Sequence, residues 1–277
     1  MVAGDVHAYG SEAGHDAEGF PVDTGDRGLI STFVERWHNE TSSFHLPVGE
    51  VTITLDDVVS LLHLPIIGTF HTFEPLHIDE AVLMFVELLE VSGEEARAET
   101  TQCHGAYSIS YAWGAATLMH MYDHLNDACR SGNRQLAGYI TLLQCWIYEH
   151  FPSVAECLTD PDYDDLSPRV CRWIATKASL KSISASTYRK RLDGLRIPDV
   201  CWMPYGEHRA VREFDLISCF SGHLRWEPVV VRHRPEMVMR QFGYVQSFPV
   251  EATDSWVSFE EIDDRWMHYS DHFALAG

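Results

Sequence analysis

The stretch L-I-S-T-F-V-E-R-W-H-N-E-T-S-S-F-H-L-P-V-G-E-V-T-I-T-L-D-D-V-V-S-L-L-H-L-P-I-I-G, from Leu29 to Gly68, changes its hydrophobic period twice. Leu29, Ile30, Phe33, Val34 and Trp37 recur at helical spacing, which predicts an amphipathic helix of about ten residues that stops near Asn39. Phe44, Leu46, Val51 and Ile53 then alternate with polar positions around Pro47-Val48-Gly49-Glu50, the pattern of a β-hairpin whose turn is made by proline and glycine. The second strand runs directly into Thr54-Leu55-Asp56-Asp57. Thr54 can cap the next helix, and the two aspartates fall in its first turn, where the backbone dipole favours negative charge. They therefore read as caps rather than catalysts. Val58, Val59, Leu61 and Leu62 form the apolar face of this helix, and Pro65 ends it.

Helices continue beyond this block. Ile78 to Val91 places Ala81, Val82, Phe85, Leu88 and Leu89 on one face, and Tyr111 to Ala128 does the same with Ala115, Leu118, Met119, Tyr122 and Leu125. Leu136 to Phe151 is apolar nearly all round, as expected of a buried central helix. The turn Arg130-Ser131-Gly132-Asn133 predicts that the last two pack antiparallel. Residues 159–168, with four aspartates and two prolines, are the best candidate linker. Beyond them the expected order is a helix over Ser182–Leu195, a short strand over Val200–Met203, a helix over Glu213–Phe220, a strand over Leu224–Arg232, and a helix bracketed by Pro235 and Gly243. Residues 1–24 lack either period and read as a flexible acidic tail; residues 251–277 form an acidic C-terminal segment. The fold class is mainly α with a few short β-strands (α+β). It is either one compact domain over residues 25–250 or two lobes divided at 159–168.

Composition narrows the function. The chain of 277 residues is 45% hydrophobic, enough for a real core. No run reaches the roughly 18 apolar residues that a membrane span requires, and the first residues lack the order of a signal peptide, so no membrane association and an intracellular setting are expected. Seven cysteines without a Cys-x-x-Cys pair argue for reduced thiols. The net charge of −21 is unevenly placed: residues 1–165 carry −22, residues 166–250 carry +7, and residues 251–277 carry −6. Such a split means either an acidic lobe packed against a basic one or a basic face kept for an acidic partner. The densest basic stretch holds Lys177, Lys181, Arg189, Lys190, Arg191 and Arg196. It is a candidate contact for an anionic partner, with a solvated helix face as its plain alternative.

The motifs that carry chemistry are absent or incomplete. Gly4-Asp5-Val6-His7 looks like a first metallophosphoesterase block, but the Gly-Asp-x-x-Asp and Gly-Asn-His blocks do not follow it. His120 and His124 have zinc-ligand spacing on a helix without a third ligand, and default to hydrogen-bonded histidines. Asp160-x-Asp162-x-Asp164 begins like a calcium loop but lacks the glycine and the bidentate glutamate. No G-x-S-x-G elbow, P-loop or G-x-G-x-x-G occurs. No cofactor is expected.

Four blocks in order carry a resemblance: Leu29 to Gly68, Y-A-W-G-A-A-T-L-M-H-M-Y from Tyr111, S-G-N-R-Q-L-A-G-Y-I-T-L-L-Q-C-W from Ser131, and R-P-E-M-V-M-R-Q-F-G-Y-V-Q from Arg234. Together they resemble the plant mobile domain, a family of plant retrotransposon-associated and meristem-maintenance proteins often labelled aminotransferase-like. The residues here do not support that label. The resemblance implies a nuclear protein without established catalysis that acts in transposable-element silencing, gene expression, genome integrity and meristem maintenance. It also implies a partnership with a protein phosphatase 7-like protein or with related plant mobile domain proteins. Some relatives carry such a phosphatase domain on the same chain, which these 277 residues leave no room for, and the family places a further leucine-rich helical segment where this sequence has residues 1–24.

Within the blocks, Glu35, Arg36, Trp37, Phe44, His45, Pro47, Gly49, Glu50, Thr54, Trp113 and Gly114 are the signature positions, and a structural role is expected of them. Arg36 is expected to pair with Glu50 and fix the hairpin on the first helix, with Trp37 underneath. The leading expectation is a non-catalytic protein-interaction module. A nucleic-acid binder using the basic 177–240 region and an enzyme of unrecognised chemistry are the alternatives.

Overall fold

Asp26 starts the first helix, α1 (Arg27–Val34), by accepting the Leu29 amide at 3.0 Å. A computed structural model describes residues 26–68, 112–130, 140–174, 183–226, 228–246 and 257–274. The expectations for the tail 1–24, the helix 78–91, the turn at Ser131–Asn133, the opening of the helix from Leu136, and Lys177 and Lys181 lie outside the described residues. Asp26 also accepts the Tyr188 hydroxyl, and its own amide donates to Gln144 Oε1 at 3.0 Å. One capping residue thereby joins three elements.

The first helix is shorter than its periodicity predicts. It ends at Val34, and Trp37 belongs to a strand, β1 (Trp37–His38), paired antiparallel to β2 (Ser43–Leu46) with Trp37 opposite Phe44. The physical reason is the place the indole finds off the helix axis. Its ring packs against Phe44 at 4.9 Å and Tyr122 at 5.1 Å between centroids, and Nε1 donates to Asn126 Oδ1 at 2.8 Å. Satisfying a buried indole N–H while burying its ring outweighs one more helical turn. The hairpin forms as expected: β2 pairs with β3 (Gly49–Val51), Leu46 opposite Gly49, so Pro47-Val48 is a two-residue turn, and Gly49 takes φ +114°. That backbone conformation suits glycine and strains any other residue.

Thr54 and Asp57 form the capping box of α2 (Leu55–Leu62), and His63 closes it in the left-handed conformation. The long helix α3 (Trp113–Arg130) and the buried α4 (Ile140–His150) both pack against α2 and α1. Gly114 lies against the chain after α2: its amide donates to Pro65 O at 2.7 Å, and a Cβ there would stand 2.7 Å from Ile66 Cγ2.

The candidate linker is tied at both ends. β4 (Leu158–Thr159) pairs with β5 (Trp173–Ile174), and the Asp160 amide donates to Arg172 O at 2.8 Å. Asp160 and Asp164 accept the amides of Asp162 and Leu166, so these carboxylates shape turns rather than a calcium loop. One continuous hydrophobic core crosses this segment, from Leu29, Phe33 and Trp146 to Leu192, Leu224, Val231 and Trp266.

The second half departs furthest from its periodicity. α5 (Ala185–Asp193), capped by Ser184, packs on α1 as an exposed amphipathic helix. Val200–Met203 is not a strand: the Cys201 amide donates to His150 O at 2.9 Å, so an extended-looking run satisfies a helix C-terminus instead of a sheet. Over Glu213–Phe220 only a 3₁₀ turn forms, Leu216–Cys219. Leu224–Arg232 is two strands, β6 (Gly222–Trp226) and β7 (Val229–His233), with Pro228 at the turn, where its missing N–H breaks no ladder. Pro235–Phe242 is 3₁₀ with a break at Val238, and Gly243 ends it at φ +82°. Finally α6 (Phe259–Met267), capped by Ser258, lays Ile262 and Trp266 on β6.

Candidate functional site

The sequence blocks clasp one another. Gln241 lies alongside Thr52 like a strand residue: its Oε1 accepts the Thr52 amide at 2.9 Å and its Nε2 donates to Thr52 O at 2.8 Å. Next to it Arg240 donates to Val48 O at the hairpin turn. From α3, the Tyr122 hydroxyl donates to Ile53 O at 2.6 Å and meets Thr52 Oγ1 at 2.8 Å. Phe44 stacks on Trp146 at 5.3 Å. His45, Glu50 and Trp113 have partners of their own. His45 stacks on His38 at 3.7 Å and bonds Thr41 Oγ1, Glu50 accepts Ser43 Oγ at 2.8 Å, and Trp113 leans on Trp226 at 5.8 Å.

The expected Arg36–Glu50 pair is replaced. Arg36 reaches Asp193 on α5, and Glu35 takes both arms of Arg189 at 2.7 and 2.5 Å. The kink after Val34 turns both side chains towards α5 and away from the hairpin, so α1 and α5 exchange charges.

That exchange is general. Arg209 grips Asp56 with two bonds of 2.7 and 2.6 Å, Arg169 grips Glu149 at 3.1 and 2.9 Å, and Arg191 reaches Glu156 and Val154 O. Arg225 pairs with Asp263 in the C-terminal helix. Among the described residues, Arg169, Arg172, Arg189, Arg191 and Arg209 of the basic region pair with acids of residues 1–165, so part of the charge split is used inside the protein. Of the candidate anionic contact, Arg189 and Arg191 are half-exposed and paired within the chain to Glu35 and Glu156, while Lys190 and Arg196 are exposed.

At the centre of these pairs is a buried polar cluster that α2, α4 and the loop at Tyr205 build together. Asp57, 1% exposed, accepts the Thr54 amide at 2.6 Å and hydroxyl at 2.7 Å on one oxygen. On the other it accepts His150 Nε2 and the Tyr205 hydroxyl, each at 2.8 Å. Burial alone would raise this carboxyl's pKa. The charge and hydrogen bond of His150, with the bonds from Thr54, outweigh it and hold the group below the ordinary carboxylate range. Burial, with the neighbouring carboxylates, keeps the Tyr205 phenol protonated far above its usual range. Beside them Asp56 is pushed up by burial, against the opposing pull of Arg209, and Glu149 also accepts Trp173 Nε1 at 3.0 Å.

Asp57, His150 and Tyr205 thus form a carboxylate-imidazole-phenol constellation whose polar atoms face one another. The sequence marks Asp57 only as a cap; His150 and Tyr205 join it through tertiary packing, with no spacing to announce them. His120 and His124 have ring centres 6.4 Å apart, and among the described residues no three His, Cys, Asp or Glu side chains converge as a metal site requires.

The model of the plant mobile domain matches residues 21–108 and 104–275. The chain belongs to the plant mobile domain family. Among curated proteins of Arabidopsis thaliana it is similar to Protein MAINTENANCE OF MERISTEMS, 26% identical over 91% of this chain. It is 27% identical over 84% of its length to Protein MAIN-LIKE 2, and 26% identical over 87% to a serine/threonine-protein phosphatase 7 long form homolog. This plant mobile domain chain spans 66%, 44% and 23% of those three proteins respectively. No solved structure matches it. Through Arg240 on Val48 and Gln241 on Thr52, the first and last blocks of this plant mobile domain meet in one contact.

Proposed function

We propose that this chain is a non-catalytic, nuclear protein-interaction module that serves transposable-element silencing, gene expression and meristem maintenance, with a phosphatase 7-like protein as its partner. The observation that carries this reading is its similarity, over 87% of its length, to part of a protein named as a phosphatase 7 homolog. A module that occurs within one such protein is suited to meet another as a separate chain. The name MAINTENANCE OF MERISTEMS on a relative supports the process. The internal use of Arg189, Arg191 and Arg209 supports a protein partner over the nucleic-acid reading, since phosphate binding needs free cations. The saturation of Asp57 by four donors supports a structural role for the buried cluster.

The test is purification of the tagged protein from plant nuclei, with and without nuclease, read by mass spectrometry. A phosphatase 7-like protein retained after nuclease is the expected result. Recovery of nuclease-sensitive chromatin proteins alone would overturn it in favour of nucleic-acid binding.

A further inference from the structure

The segment from Tyr205 to Arg212 grips both ends of α2. At the first turn Tyr205 and Arg209 hold Asp57 and Asp56. At the last, His208 Nε2 meets His63 Nε2 at 3.1 Å, and Arg212 donates to the His63 carbonyl at 3.2 Å. The two imidazole centroids lie 5.4 Å apart. With the nitrogens at 3.1 Å, that separation places the rings tip to tip, as a donor facing an acceptor. The turn that follows hangs on His208: the amides of Val211 and Arg212 both donate to His208 O at 3.0 Å, and the His208 amide donates to Tyr205 O, so loss of the His208 anchor loosens both amides.

We propose that the His63–His208 contact is an acid-released latch, which frees residues 208–212 from the end of α2 while Tyr205 still holds its start through Asp57. The contact requires one ring to lack a proton on Nε2. A first added proton can rest on the outer nitrogen of the donor ring and leave the N–H···N bond intact. A second leaves two N–H groups facing each other, so the bond becomes a repulsion. The surroundings oppose even the first. Arg212 approaches from the same segment, Arg209 lies one residue from His208, and Arg169 faces it from the 3₁₀ turn 169–172. Asp165 and Glu149 pull His208 the other way, each more strongly than Arg209 pushes, and burial with Arg169 outweighs them. Burial and these arginines hold both imidazoles below the usual histidine range, His63 at about 4. The unfolded or opened segment takes up protons first as pH falls below about 6.5, so the closed form loses stability from there down through the latch's own titration. Asp57, held ionised to lower pH, keeps its bond to Tyr205, whereas burial raises Asp56, the partner of Arg209.

The experiment is a pH titration of the whole chain from 7.5 to 4, following histidine side chains by NMR and backbone amides by hydrogen exchange. Exchange at Val211 and Arg212, corrected for intrinsic rate, is expected to accelerate with the titration of His63 and His208, while the amides of α4 stay protected. His208→Gln places a non-titrating amide where Nε2 lies and should shift this opening down by about one pH unit or more. Arg212→Gln, which removes a cation without filling the core, should move the His63 titration upward. His63 and His208 titrating near 6.5 with unchanged exchange at 211–212 would overturn the proposal. So would an opening midpoint that is the same in wild type, His208→Gln and Arg212→Gln. Should His208→Gln fail to fold, the direction of the Arg212→Gln shift decides alone.

Discussion

Replacing Asp57 by asparagine removes one atom's worth of acceptor from the centre of the fold and changes almost no volume. The carboxylate accepts four hydrogen bonds, two on each oxygen, from Thr54 twice, His150 and Tyr205. An asparagine offers one oxygen and one NH₂, so one pair of donors keeps its acceptor and the other meets an amide that also donates. Each buried donor left without an acceptor costs about 1–3 kcal/mol, giving a loss of about 2–6 kcal/mol. Against a total stability on the order of 5–15 kcal/mol, that is a large share. Urea unfolding followed by tryptophan fluorescence would measure it, with buried Trp146, 5.2 Å from the His150 ring, as a local reporter. With the asparagine oxygen kept by the Thr54 pair, which lies within the same helix cap, Tyr205 is one of the stranded donors; adding Tyr205→Phe removes it, so the double variant should lose about 1 kcal/mol less than the sum of the singles. A loss under about 1 kcal/mol for Asp57→Asn, or strict additivity with Tyr205→Phe, would refute a cluster held by mutual saturation.

The same carboxyl sets an acid limit. Its folded pKa lies below its ordinary value, so its contribution is present above about pH 4 and is lost as pH falls through the folded value; Asp57→Asn should flatten that part of a stability-versus-pH curve. Gly114→Ala would drive a methyl to 2.7 Å from Ile66 Cγ2 and 3.1 Å from Pro65 O. It should lower stability by about 1–3 kcal/mol in thermal unfolding, and an unchanged melting temperature would show that α3 can shift away from Pro65. Arg169→Met leaves Glu149, whose side chain is 3% exposed, with only the Trp173 indole and Arg172 at 4.0 Å, and should cost about 3 kcal/mol, of which Glu149→Gln in the same chain recovers a measurable part. Equal stability of single and double variants in urea unfolding would count against a buried pair.

The hairpin at Pro47-Val48, the capping box of Thr54 and Asp57, and the apolar faces of α2, α3 and α4 were legible in the sequence. Each is a local decision: a turn residue, a cap and a period act within a few positions of the chain. The length of α1 was not, because Trp37 continues its period while the indole's partners, Tyr122 and Asn126, lie far along the chain. The strands over 222–233 were read as one because Pro228 looks like an edge residue in either arrangement. The candidate site was half legible: Asp57 stood out as a cap, while His150 and Tyr205 carried no signal that they would share its oxygen.

The sequence by itself determined the family, the mainly helical class and the charge split between its two halves. Those follow from composition, periodicity and ordered blocks, which do not depend on which residues meet. Tertiary structure alone decided the partners. Arg36 turned to Asp193 rather than Glu50, Arg209 to Asp56, and Gln241 to the backbone of Thr52. A charge or an amide has no preferred partner until the fold brings one within hydrogen-bond reach in a place where water cannot compete.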